Sequence, residues 1–355
     1  MFEQFSASHF RRFEEIEIRG LKRVNLITGP NGVGKTSLLE GLFILAGAFS
    51  PELAFRVNAF RGMEGLRIEL GRETATVMSS LFHDLDYGRQ AVLRGQESDG
   101  TKVVLEITLP EPKTVPSKLA GVLTSAVDTE SLDEVKALQM RTTVGSARPV
   151  VSTLTVSEKG LSVDKRRPIR RGAVFLQPRT ETVTRELAGR LGRVVVARQE
   201  DRLVEALKTI EPRLTSVASV LEGEQTALYA DVGKNELVPL WLLGGGINHL
   251  AHIVLAILEE RGRVLLIDEI ENGVYYGVLP AMWKVIGHAA READCQVFAT
   301  THSRECVAAA HHAFSESFDY DLRVQRLEPA NGRVEAVAYD KETLEASIEA
   351  GFEVR

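Results

Sequence analysis

Between Gly29 and Thr36 the chain reads Gly-Pro-Asn-Gly-Val-Gly-Lys-Thr, a match to the spacing GxxxxGK[ST] that dictates more about the fold than any other stretch. Such a loop works only as the bend between a strand and a helix, because its backbone N–H groups must turn inward around phosphate oxygens. Gly29, Gly32 and Gly34 leave room for that turn, where a side chain would collide or the backbone angles would be forbidden. Pro30, Asn31 and Val33 fill the positions between them. The flanks agree with the requirement. Val24-Asn25-Leu26-Ile27-Thr28 is a short apolar run suited to a buried strand, and from Lys35 to Ala48 the pattern becomes helical until Pro51 closes it. Lys35 is then placed to reach the β- and γ-phosphates of a nucleotide, the Thr36 hydroxyl to bind Mg²⁺, and the helix N-terminus through Ser37 to add partial positive charge.

A second signal is Arg263-Val264-Leu265-Leu266-Ile267-Asp268-Glu269, an apolar strand that ends in two carboxylates. In α/β folds ligands bind at that carboxyl edge. Asp268 can hold the Mg²⁺ shell, and Glu269 can orient and polarise an attacking water. A third strand, ending at Phe298-Ala299-Thr300-Thr301-His302, offers a neutral imidazole that would hydrogen-bond a γ-phosphate and so tell ATP from ADP. Asp268 lies 232 residues beyond Thr36, whereas His302 lies only 34 beyond Asp268. Small P-loop kinases and GTPases are too compact for the first gap, and a large insertion between the two halves of the site suits the ATP-binding-cassette architecture.

Composition then limits the alternatives. With 44% apolar and 26% charged residues the chain is neither disordered nor fibrous, and a net charge of −6 rules out a uniformly basic nucleic-acid binder. The charge is segregated, since Lys165 to Arg213 holds 13 basic and 6 acidic residues, a local +7 against −13 for the rest. Lys165, Arg166, Arg167, Arg170 and Arg171 head that stretch and are the candidate contact for nucleic acid or an acidic partner. Cys295 and Cys306 cannot build a disulfide framework, and Met1 to Arg12 has no apolar core of signal-peptide length, so a reducing, cytoplasmic setting is expected. From Leu237 to Leu258 there are 22 residues with no Asp, Glu, Lys or Arg, long enough to cross a bilayer. Pro239, three consecutive glycines, Asn248, His249 and His252 oppose a membrane span.

Strands are expected over Val103–Leu109, Val150–Val156 and Ala173–Leu176, a short polar helix over Thr129–Met140, and helices over Arg202–Ile210 and Val278–Ala293. Strands alternating with helices in the C-terminal half argue for a mainly parallel sheet covered on both faces. The boundaries read as a split ATPase domain, residues 1–75 and 172–355, interrupted by an arm or lid over 76–171.

The triple glycine of Leu243-Gly244-Gly245-Gly246-Ile247-Asn248 precedes a helix and lies about 25 residues ahead of Asp268, where cassette ATPases carry their signature. Four elements in order, with the segments HFRRFEEIEIRGLKRVNLITGPNGVGKTSLLEGLF, QEDRLVEALKTIEPRL, LLGGGINHL, VLLIDEIENGVYY, QVFATTHSREC and GFEVR, give a chain that resembles the stand-alone AAA-type ATP-binding proteins related to the OLD (overcoming lysogenization defect) ATPases. That branch of the cassette superfamily includes RecF and SMC proteins. The resemblance implies an α/β P-loop NTPase of ABC-ATPase type, with a mainly parallel sheet flanked by helices, an antiparallel β subdomain and an inserted α/β arm.

It also implies roles. Gly29 to Thr36 would bind the phosphates of ATP, Asp268 and Glu269 would serve Mg²⁺ and hydrolysis, and His302 would sense the γ-phosphate. Arg11 would lie near the nucleotide, Gln177 would act as the Q-loop residue on the Mg²⁺ side, and Gly244, Gly245 and Gly246 would meet the nucleotide of a second subunit in a homodimer. A protein partner from a neighbouring gene and a role in phage defence or in a toxin–antitoxin-like system follow from the same resemblance, whereas the absence of membrane association is expected from the residues of the 237–258 run. The sequence departs from the family in placing Gly244 where Ser is common, Gly245 where Asp is common, and Tyr275 where His is frequent. Only 53 residues follow His302, too few for the Toprim nuclease of OLD nucleases, so no nuclease is expected. Two alternatives stay open at this point: a DNA-repair clamp resembling RecF that binds DNA through the basic run, and a non-hydrolysing module in which ATP only sets assembly.

Overall fold

Three strands open the chain: β1 (Phe2–Phe10), β2 (Phe13–Arg19) and β3 (Val24–Thr28). In β2 burial alternates with exposure from Glu15 onward, as expected of a strand with one covered face, whereas all five residues of β3 are buried, as in a strand covered on both faces. The phosphate-type loop follows β3 at once and leads into the helix Lys35–Ala46. The computed structural model describes residues 1–58, 78–110, 113–114, 134–157, 160–164, 171–177, 183–222, 225–259, 262–316, 319–330 and 332–354.

The chain divides into two compact units, one formed by Met1–Glu3, Ile18–Leu39 and Arg171–Arg355, the other by Gln4–Glu17 and Glu40–Arg170. Between the helix Glu52–Asn58 and residue 170 the described elements are strands apart from a short 3₁₀ turn and one turn at Met78–Ser79: β4 (Ala91–Glu97), β5 (Lys102–Thr108), β6 (Lys113–Thr114), β7 (Glu134–Val144), β8 (Val150–Ser157) and β9 (Gly160–Val163). They join β1 and β2 in a sheet ordered β2-β1-β4-β5-β7-β8-β9, with β6 against β7, and the pairs from β4 to β9 run antiparallel.

The expected helix over Thr129–Met140 is corrected by β7: from Glu134 onward the segment is a strand, and residues 129–133 lie outside the described residues. Its Leu, Lys, Gln and Met favour helices, but Leu138, Met140 and Thr142 are buried while Gln139 and Arg141 are exposed. That period of two fits only a strand with one covered face, and tertiary burial overrides composition.

The other unit holds β10 (Ala173–Leu176), β11 (Ser216–Glu222), β12 (Gln225–Asp231), β13 (Val238–Pro239), β14 (Val264–Ile267), β15 (Gln296–Thr300), β16 (Leu322–Ala330) and β17 (Arg333–Tyr339). Six strands form its main sheet in the order β10-β14-β15-β3-β16-β17, parallel throughout except that β17 runs antiparallel to β16. β11, β12 and β13 make a separate antiparallel sheet. Helices Val183–Val196, Glu200–Lys208, Gly245–Glu259, Leu279–Glu292 and Arg304–Ser315 supply the apolar cover, with Trp283, Ile286, Leu250, Ile253 and Val254 fully withdrawn from water. This is the α/β P-loop fold, with one parallel strand inserted between the loop-bearing β3 and the acidic β14. The apolar run Leu237–Leu258 is spent on β13, a 3₁₀ turn and the helix Gly245–Glu259, and no helix among the described residues is long and apolar enough to cross a membrane.

That buried helix carries His252, 7% exposed, whose pKa burial lowers from 6.5 to about 4, with the Arg190 guanidinium acting in the same direction. Between those pH values the unfolded chain binds a proton that the folded chain rejects. The contribution is therefore present in full above pH 6.5 and lost as pH falls through the folded value. A loss of about 3 kcal/mol by pH 4 is expected, read as a falling denaturant midpoint that the variant His252→Gln flattens. An unchanged slope in that variant would assign the acid sensitivity elsewhere.

Candidate functional site

β3 delivers Gly29 into a space no other residue could occupy. Its φ is +131°, and a Cβ there would stand 2.2 Å from the backbone oxygen of Leu327 on β16. Beyond it the Lys35 side chain folds back and donates to the carbonyls of Gly29 at 2.6 Å and Pro30 at 2.9 Å. Burial lowers the pKa of its ammonium, and the carboxylates of Asp268, Glu269 and Glu271 pull it back up. A cation is thus held at the mouth of a glycine loop, against three acids.

The acids come from the end of β14. The Thr36 hydroxyl donates to Asp268 Oδ2 at 2.9 Å, across a sequence gap of 232 residues. The other carboxylate oxygen accepts from the Thr300 hydroxyl at 2.5 Å, and Thr300 Oγ1 in turn accepts the backbone N–H of Glu269 at 2.8 Å. Thr300, the last residue of β15, thus ties the acidic pair to that strand. Glu269 has φ of +51°, the left-handed region that a non-glycine residue rarely occupies. The bonds Glu269 N to Thr300 Oγ1, Ile270 N to Thr300 O and Asn272 N to Glu269 O hold it there. Backbone strain sustained by its surroundings points to a functional position. His302 stands opposite, its Nε2 4.0 Å from Glu269 Oε1.

The glycine-led helix borders the same loop. Gly244, at φ of +119°, is exposed and ends the preceding 3₁₀ turn, and the helix begins at Gly245. A Cβ at Gly245 would meet the Gly273 carbonyl at 2.9 Å, so close approach to the segment after the acidic pair requires a glycine. One turn on, His249 Nε2 lies 2.9 Å from the Ile270 carbonyl. A carbonyl only accepts, so Nε2 carries the proton, and burial keeps this imidazole's pKa below its ordinary value.

Of the residues expected from sequence, Gly29 to Thr36, Asp268, Glu269 and His302 converge. Gln177 follows β10, where Leu176 pairs with Ile267 and accepts the N–H of Asp268 at 3.0 Å, so it enters at the same sheet edge. Ser37 is buried in the first turn of the loop's helix. Arg11 belongs to the other unit. Its φ is +52°, its Nε is 3.0 Å from the carboxylate of the fully buried Glu40, and its remaining nitrogens donate to Asn58 Oδ1 and to Ser80. The exposed member of that pair of arginines is Arg12. Lys165, Arg166, Arg167 and Arg170 lie outside the described residues, whereas the Arg171 guanidinium sits 5.7 Å from the Phe2 ring centroid. Sequence reasoning missed Thr300, Glu271 and His249. A hydroxyl closing a strand was visible, but only the sheet order, with β15 between β3 and β14, gives it two sites to join.

The chain is similar in sequence and fold to several known proteins. A profile described as "AAA domain, putative AbiEii toxin, Type IV TA system" matches residues 132–308, and one described as "AAA domain" matches residues 5–135. An "ATP/GTP phosphatase" of Helicobacter pylori is 20% identical over 328 residues, 86% of each chain. The "DNA replication and repair protein RecF" of Idiomarina loihiensis is 44% identical over 59 residues, 17% of this chain and 16% of that protein. Among solved structures, the SMC head bound to the C-winged helix domain of ScpA aligns at a TM-score of 0.49 and 12% identity, over 97% of this chain and 99% of that one.

Proposed function

We propose that this chain, an AAA/ABC-type P-loop ATPase in its architecture, binds ATP with Mg²⁺, hydrolyses it, and uses the bound nucleotide to join two copies of itself. One observation carries the reading: the hydrogen bond from Thr36 to Asp268 brings the phosphate loop and the acidic strand end into one site. Hydroxyl and carboxylate are hard oxygen donors, already 2.9 Å apart, and that donor set fits Mg²⁺. Thr36 and Asp268 would hold the ion, with Gln177 at the same edge. When bound it supplies charge neutralisation between the β- and γ-phosphates.

Each remaining step belongs to this chain's own groups. Lys35 exchanges the carbonyls of Gly29 and Pro30 for phosphate oxygens. Glu269 takes the proton of the attacking water, its carboxylate aimed by the left-handed backbone. His302 reports on the γ-phosphate from across the site. Gly244 and Gly245 expose a helix N-terminus, and Trp241, Leu242, Tyr275 and Tyr276 are exposed beside them, which supports a second copy as the occupant of that face. The name of the Helicobacter pylori relative agrees with nucleotide hydrolysis, and the description of the profile over residues 132–308 supports a place in a toxin–antitoxin-like system.

Multiple-turnover phosphate release from ATP is expected, and chelation of Mg²⁺ by EDTA should abolish it. Lys35→Ala should lower ATP affinity about 10- to 100-fold, the worth of a charge-assisted contact to phosphate. Release unaffected by EDTA, or unchanged affinity in Lys35→Ala, would overturn the reading.

A further inference from the structure

Glu271 has no part in the reaction as derived so far, yet it is the third acid of the loop. Its Oε1 accepts the backbone N–H of His302 at 2.8 Å, across 31 residues of sequence. Its Oε2 is buried and has no hydrogen-bond partner among the described residues. A withdrawn carboxylate oxygen without a partner is costly, and such groups call for a reason beyond stability. The local turn does not supply one, because the bond from Val274 N to Glu271 O uses only backbone atoms and survives any side chain.

We propose that Glu271 is a positioning residue for His302, and that His249 on the glycine-led helix fixes the loop from which Glu271 acts. This rests on the reading of the site as one that hydrolyses ATP. Three ties define the arrangement. His249 holds the carbonyl of Ile270, the residue between Glu269 and Glu271. Gly245 brings the same helix against the Gly273 carbonyl. Glu271 then grips the main chain of His302, whose ring faces Glu269. A shift at the start of the glycine-led helix therefore reaches the loop and, through one side-chain hydrogen bond, the imidazole that meets the γ-phosphate. The bond asks for an acceptor and not for a charge, so an amide in its place preserves it.

The test compares the wild-type chain with Glu271→Gln and Glu271→Ala. Steady-state kinetics give kcat and KM for ATP, and side-chain NMR of His302 follows its ring signals in ADP and in ATPγS. Glu271→Ala is expected to lose about 10- to 100-fold in kcat, the usual scale for a supporting contact one step removed from the chemistry. KM for ATP should stay within about twofold, and the change in the His302 signals between the two nucleotides should disappear. Glu271→Gln should keep both the wild-type kcat and the signal change. His249→Phe, which keeps a ring and loses the bond to Ile270, should show a smaller loss confined to kcat. If the alanine variant does not fold, Glu271→Met, similar in bulk but without an acceptor, takes its place. Wild-type kcat and signals in the alanine variant would overturn the proposal, as would a glutamine variant as impaired as alanine. Absence of turnover in the wild-type chain would instead remove the hydrolytic reading, and the NMR comparison would still decide the role of Glu271.

Discussion

Glu269→Gln is expected to reduce steady-state phosphate release about 10²- to 10⁴-fold, the range lost with a general base, while ATP still binds. The substitution is nearly isosteric and spares what holds the position: the N–H that Thr300 accepts and the backbone at φ of +51° are both independent of the carboxylate. Thr36, Asp268 and Lys35 are untouched, so affinity for ATP and Mg²⁺ should change little. The consequence should be visible as mass. A chain that binds ATP and cannot discharge it should sediment with twice the monomer mass in ATP and as monomer in ADP. Turnover at the wild-type rate would exclude Glu269 as the base, and turnover lost without accumulation of a dimer would separate hydrolysis from assembly.

The second large effect concerns Glu40, which lies on the helix that starts at Lys35, with a fully buried side chain 3.0 Å from the Arg11 guanidinium, itself 4% exposed. Removing one partner of such a pair leaves an uncompensated charge where water cannot reach it. Glu40→Ala should therefore cost about 3–5 kcal/mol, read from a denaturant midpoint at constant slope. Arg11→Met combined with Glu40→Met removes both charges and should cost less than the two single changes together. A double variant equal to the sum of the singles would mean that the two groups do not interact. Both members of the pair lie within one compact unit, so the loss is expected in the stability of that unit.

Segments in which one physical demand dominates were legible in sequence. β3 and β15 are uniformly buried, so an unbroken apolar run sufficed, and the glycine spacing after β3 announced the loop. β7 was not legible, because its residues prefer helices and only its place in a sheet makes alternate positions apolar by burial. The site divides along the same line. Asp268, Glu269 and His302 stand at strand ends, where position alone suggests a role. Thr300 and Glu271 act through partners 32 and 31 residues away, His249 through one 21 away, and no periodicity in the chain encodes those distances. The partners of Arg11 within its own unit, Glu40, Asn58 and Ser80, lie 29, 47 and 69 residues away and were equally hidden in the sequence.

The order of strands also constrains when the molecule can first work. β3 carries the phosphate loop, but its neighbours are β15 and β16, which begin at Gln296 and Leu322. A chain still on the ribosome exposes β3 as an unpaired apolar strand until β15 has been made, Gln296 lying 268 residues beyond Thr28. At typical synthesis rates that interval is on the order of tens of seconds, long enough for chaperones to hold the segment and for unprotected chains to aggregate. The same delay means that Asp268 and Thr36 come within hydrogen-bond distance only once β15 has paired with both β3 and β14.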